Sequence, residues 1–111
     1  MASTRSSHAR RSAPIFAALG DEMRLRLLSR LCREGPLSIT SLAAGTDVTR
    51  QAITKHLRRM AEAGVLRESR QGRESVWAVD PASLDEAQHY LRAISDQWDA
   101  ALGRLKRFVE E

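Results

Sequence analysis

Between Leu37 and Val79 the chain carries, in order, a brief helical segment, a tight break, a longer capped helix and two β-like segments, and few folds accommodate that order. LSITSLAAG, residues 37–45, can be capped by Ser38 or Thr40 and offers Ile39, Leu42 and Ala43 as an apolar side, with room for about two turns. Thr46, Asp47 and Val48 make the connection, and Thr49 is a fresh N-cap for RQAITKHLRRMAEAG. VLRESR and RESVWAV come next, joined by the turn residues Gln71 and Gly72, with Val76, Trp77 and Val79 supplying β-propensity. These parts predict a mainly α fold with a small β-hairpin wing, a winged helix-turn-helix.

Upstream, Pro14 is placed to open a first short helix through Ile15, Phe16, Ala17, Ala18 and Leu19, ending at Gly20. Asp21 caps a second helix, along which Met23, Leu27, Leu28, Leu31 and Cys32 recur at helical spacing until Gly35 and Pro36 end it. Cys32 is expected to pack on that stripe as a small hydrophobe, shielded from oxidants. Residues 1–12 read as a flexible basic arm whose Arg5, Arg10 and Arg11 can lie on phosphate or in water, and residues 13–111 as one domain. Downstream, Asp80 and Pro81 end the hairpin and start a helix over about 81–111.

In that last helix Leu84, Leu91, Trp98 and Leu105 recur every seven residues, as do Ala87, Ile94, Ala101 and Phe108. At about 1.5 Å per residue, the roughly 28 residues from Ser83 to Glu110 extend about 42 Å, more than a small domain covers with its own core. The seam therefore predicts self-association, assisted by Ile15 and Phe16 of the first helix.

The helix after Thr49 divides into two faces at about 100° per residue. Ile53, Leu57 and Met60 cluster on one, while Gln51, Thr54, Lys55 and Arg58 share an arc on the other. Arg50 falls nearer the core edge but can swing outward, and His56 lies on the flank, suited to a phosphate, partner or structural contact. From Arg50 to Arg73 there are seven Lys and Arg against two acidic residues, Glu62 and Glu68, in a chain of net charge +4. Arg, Lys, Gln and Thr carry the donors and acceptors that read base edges in a major groove, and a helix N-terminus at Thr49 suits a phosphate. Arg70, Gln71 and Arg73 surround the hairpin tip, where arginine suits a neighbouring backbone or minor groove. The expected DNA-contacting set is Thr49, Arg50, Gln51, Thr54, Lys55, His56, Arg58, Arg70, Gln71 and Arg73.

FAALGDEMRLRLLSRL, LSITSLA and VTRQAITKHLRRMAEAGVLRESRQGRESVWAVD, with the last helix, resemble the ArsR family of bacterial winged helix-turn-helix repressors over Pro14–Glu111. The resemblance implies a homodimer that binds a palindromic double-stranded DNA operator and represses transcription. It departs from the family's metal sensors: Ser38 and Thr40 stand at the cysteine positions of the arsenic and cadmium sensors, and hydroxyls are poor ligands for soft metals. The zinc sensors' last helix has its counterpart here only in Asp85 and His89, too few for a tetrahedral site unless a second copy supplies the rest. The chain thus resembles members without metal ligands; no metal or cofactor is expected, and the small-molecule effector is unknown.

A single cysteine excludes an internal disulfide and fits a bacterial cytoplasm, and neither a membrane span nor a signal peptide is predicted. Histidines at positions 8, 56 and 89 lie far apart, with no phosphate loop or nucleophile–base pair, so an enzyme is not predicted. The competing readings are a winged-helix protein-interaction module and a metal- or redox-responsive repressor of the same fold.

Overall fold

The computed structural model describes the backbone of residues 3–110 and the side chains of residues 9–110. Five helices and three strands run in the order α1 (Ser3–Leu19), α2 (Glu22–Glu34), β1 (Leu37–Ser38), α3 (Ile39–Ala43), α4 (Arg50–Glu62), β2 (Leu66–Gln71), β3 (Glu74–Val79) and α5 (Pro81–Glu110). The architecture is the expected one, mainly helical with a small antiparallel sheet, and the expected caps are in place. Asp21 accepts the Arg24 N–H at 3.0 Å, Ser38 Oγ the Ser41 N–H at 3.1 Å, and Asp80 the Ala82 N–H at 3.1 Å.

The core lies where these elements converge. Leu27 and Leu31 of α2, Ile39 and Leu42 of α3, Ile53, Leu57 and Met60 of α4, and Trp77 of β3 are all buried. The end of α4 is tied to the hairpin and to the start of α5. Gly64 turns the chain with φ 83°, a left-handed conformation that glycine adopts without strain. The Val65 N–H then donates to the Met60 carbonyl at 2.9 Å, and the Ser83 hydroxyl donates to the Gly64 carbonyl. Helix α4 and the base of the hairpin are thereby held in one orientation.

Several local expectations are corrected. The sheet has three strands in the order β1-β3-β2, because Leu37 and Ser38 pair with Trp77 and Val76 before α3 begins. The hairpin turn is Gly72 and Arg73 rather than Gln71 and Gly72: Gln71 pairs with Glu74 in the ladder, and Gly72 has φ 65°. Helix α1 does not open at Pro14 but runs from Ser3 with Pro14 inside it, so ten of the twelve residues read as an arm lie in a helix. Proline removes one backbone donor there. Packing offsets the loss, since Ser12, Ile15 and Ala18 are buried and Arg11 pairs with Glu86 of α5 at 2.8 Å. The side chains of Arg5 and His8 lie outside the described residues.

Cys32 is exposed, not shielded. The covered arc of α2 is narrow, with Leu27 and Leu31 buried and Met23 and Leu28 only half-buried at its margins. Cys32 falls beyond it, beside Pro36 and Val79.

Helix α5 leaves the core. Ala87 is buried and Leu84 half-buried, Phe16 packs on Tyr90 with ring centroids 6.1 Å apart, and every residue from Leu91 to Ala100 is exposed. The radius of gyration is 18.2 Å, against about 13 Å for a compact domain of this length. Ile15 and Ala87, expected in a dimer seam, are thus taken up by the chain's own core, because α1 lies against the first turns of α5 and closes over them.

Candidate nucleic-acid interface

Helix α4 starts where Thr49 leaves the helical conformation, at φ −68° and ψ 155°, and its hydroxyl oxygen accepts the Ala52 N–H at 3.1 Å. Alanine at position 49 is expected to cost about 1 kcal/mol of folding stability, measured by urea denaturation, because a helix N–H then loses its partner. The buried face of α4 is complete, with Ile53, Leu57 and Met60 inaccessible. That burial fixes the rotation of the helix and turns Arg50, Gln51, Lys55 and Arg58 outward, with Thr54 half-buried among them. The five line one shallow surface cleft.

Arg50 is exposed as expected and also stands 3.8 Å from Glu74 at the start of β3. Glu74 accepts a hydrogen bond from the Thr40 hydroxyl, which, with Ser38 and Arg50, holds its carboxyl below the ordinary 4.5. One carboxylate therefore connects α3, α4 and the hairpin. Sequence reasoning missed it, because no local pattern brings Thr40 to Glu74. At the same end of the hairpin Arg70, Gln71 and Arg73 are exposed around the tip.

His56 is placed differently from the other expected contacts. Its Nδ1 lies 3.7 Å from Asp21 Oδ1 and 3.4 Å from Arg24 Nη1, at the junction of α1 and α2. Asp21 and Arg24 were not among the candidates. Asp21 is held below its ordinary 3.8, chiefly by the Arg24 backbone N–H and further by the Arg24 and His56 charges. For both Asp21 and Glu74 a depressed value means stability that is present above the ordinary value and lost as pH falls through the depressed one.

The hydroxyls of Ser38 and Thr40 are engaged within the fold: Ser38 caps α3 and Thr40 donates to Glu74. Among the described residues no three His, Cys, Asp or Glu side chains cluster as metal ligands, and no helix is long and apolar enough to cross a membrane.

A helix pair whose second member turns a basic face outward beside an arginine-tipped hairpin defines a winged helix-turn-helix protein. A helix-turn-helix domain family matches residues 19–69. An ArsR-like transcriptional regulator from Rhodococcus sp. RHA1 is 35% identical and superposes with a TM-score of 0.74, over 89% of this chain and 92% of its own. The arsenic resistance transcriptional regulator of Pseudomonas putida is 27% identical over 82 residues, 74% of this chain, and the match spans 64% of that relative. A homodimeric winged helix-turn-helix DNA-binding domain from Mycobacterium bovis shares the fold at 19% identity and a TM-score of 0.63, over 84% of this chain and 85% of its own. The chain belongs to the ArsR family of winged helix-turn-helix transcriptional regulators, which are not enzymes.

Proposed function

We propose that this chain is a transcriptional repressor that binds a palindromic duplex operator as a homodimer in the cytoplasm. The observation that carries the reading is the two-sidedness of α4, with Ile53, Leu57 and Met60 wholly buried and Gln51, Lys55 and Arg58 wholly outward. Gln51, Thr54, Lys55 and Arg58 meet base edges in the major groove. The free N–H groups at Thr49 take a phosphate, Arg50 meets the backbone from the rim of the same cleft, and Arg70, Gln71 and Arg73 reach the flanking backbone or minor groove. Residues 13–111 form the working unit.

The apolar residues that α5 leaves exposed, Leu91, Ile94, Trp98, Leu105 and Phe108, support pairing with a second copy, and Ala101 lies on the same seam. Pairing sets two α4 helices about 34 Å apart, one turn of DNA. The homodimeric domain from Mycobacterium bovis is in keeping with such an assembly in this fold.

Selection of bound fragments from the source genome at moderate salt tests the reading. A palindromic consensus is expected, bound with an affinity that falls steeply as salt rises. A dimeric protein that showed no preference among fragments would defeat it.

A further inference from the structure

His56 sits on the recognition helix but is drawn to the inside of the molecule. It retains 26% of its side-chain exposure, and its Nδ1 faces two groups of the α1–α2 junction, the Asp21 carboxylate at 3.7 Å and the Arg24 guanidinium at 3.4 Å. Both of those groups are anchored. Asp21 caps α2 through the Arg24 N–H at 3.0 Å, and Arg24 Nε donates to the Ala18 carbonyl at the end of α1. One imidazole nitrogen thus joins α4 to the cap and first turn of α2, and Arg24 carries the link on to the end of α1. Nδ1 lies within hydrogen-bond reach of Arg24 Nη1, and the Asp21 carboxylate, farther off at 3.7 Å, faces the ring as an electrostatic partner.

We infer that His56 is a positioning residue for the recognition helix: through Asp21 and Arg24 it sets how far the outer flank of α4 stands from the α1–α2 junction, and it does not itself contact DNA. The inference rests on the DNA-binding reading proposed for α4. It adds to the core contacts of Ile53, Leu57 and Met60, which fix the rotation of α4, a polar tie on the flank next to Lys55. A tie of this kind acts on DNA affinity because base-edge contacts depend on where the helix lies in the groove.

Stereochemistry supplies the test. Asparagine places an amide where Nδ1 stands, whereas glutamine reaches the place of Nε2. On the operator selected by wild-type protein, His56→Asn is expected to bind within about twofold of wild type, and His56→Gln and His56→Leu about threefold more weakly, the scale of a partly exposed pair. Asp21→Ser keeps the N-cap while withdrawing the carboxylate, and should also weaken binding about threefold. Combined with His56→Leu it should add nothing further, since both changes break one tie. The salt dependence should stay that of wild type, and thermal unfolding followed by circular dichroism confirms that each variant is folded.

Three results overturn the inference: glutamine rescuing where asparagine fails, the two positions acting multiplicatively, or a fall of about one in the salt slope on loss of His56, the mark of a phosphate contact. A wild-type protein that selects no duplex overturns the DNA-binding reading along with it, which separates that failure from these.

Discussion

Replacing Gln51, Lys55 and Arg58 together by alanine is expected to reduce operator affinity by on the order of a thousandfold while leaving the protein folded and associated as in wild type. Each good contact to a base edge contributes about 1–3 kcal/mol of discrimination, so three lost contacts at about 1.4 kcal/mol each amount to about 4 kcal/mol. Folding should be indifferent, because all three side chains are exposed and alanine is the better helix former.

Charge alone is separable from this effect. The triple variant lowers the formal net charge from +4 to +2, and so does the pair Arg26→Ala and Arg30→Ala on α2. Those arginines are engaged locally, with Glu22 at 2.7 Å and Glu34 at 2.8 Å, and lie on a helix with no part in the proposed interface. Gel-shift titrations at one salt concentration should leave the α2 pair close to wild type. Equal losses in the two variants would mean that DNA responds to net charge and not to the face of α4.

The parts of the molecule that were legible in the sequence are those governed by neighbours a few residues away. An N-cap needs only one short polar side chain and the next turn, so Asp21 and Thr49 announce themselves, while for α3 Ser38 and Thr40 were equally open. The two faces of α4 come from a period of 3.6 once its buried residues are apolar and its exposed ones charged. Strand β1 was not legible, because two residues carry no period and Leu37 pairs with Trp77, forty positions away in the chain. The extension of α1 past Pro14 depends on its packing against α5, with Arg11 on Glu86, which outweighs a local signal for a helix start.

Cys32 and His56 share a cause. Spacing places a residue on a helix, but how wide an arc the neighbours cover is a tertiary fact, so Cys32 lies outside the covered arc and His56 at its polar margin. Ile15 and Ala87 were legible as apolar positions on their helices. Which partner each meets was not, since a seam looks the same whether it packs on its own chain or on another.

That ambiguity bears on the second large effect. Trp98 is 65% exposed, Leu105 58% and Phe108 77%, on a helix whose first turns alone reach the core. Three large apolar side chains in water along one stripe are a poor end state for a folded monomer, and burying each fully removes about 1.5–3 kcal/mol of unfavourable hydration. Glutamate at both Trp98 and Leu105 is therefore expected to convert a dimer to a monomer, read by light scattering on a sizing column. The circular dichroism of the core should persist, since Ile53, Leu57, Met60 and Trp77 are buried without help from that half of α5. Operator affinity should fall by at least about a hundredfold, because each half-site is then bound independently, without the effective concentration that a linked second copy supplies. If the double variant remains dimeric, pairing does not run through this seam, and the half-site spacing must be set by another surface. If it is monomeric yet binds the full operator as tightly as wild type, one α4 and its wing already account for recognition, and the palindrome loses its physical basis.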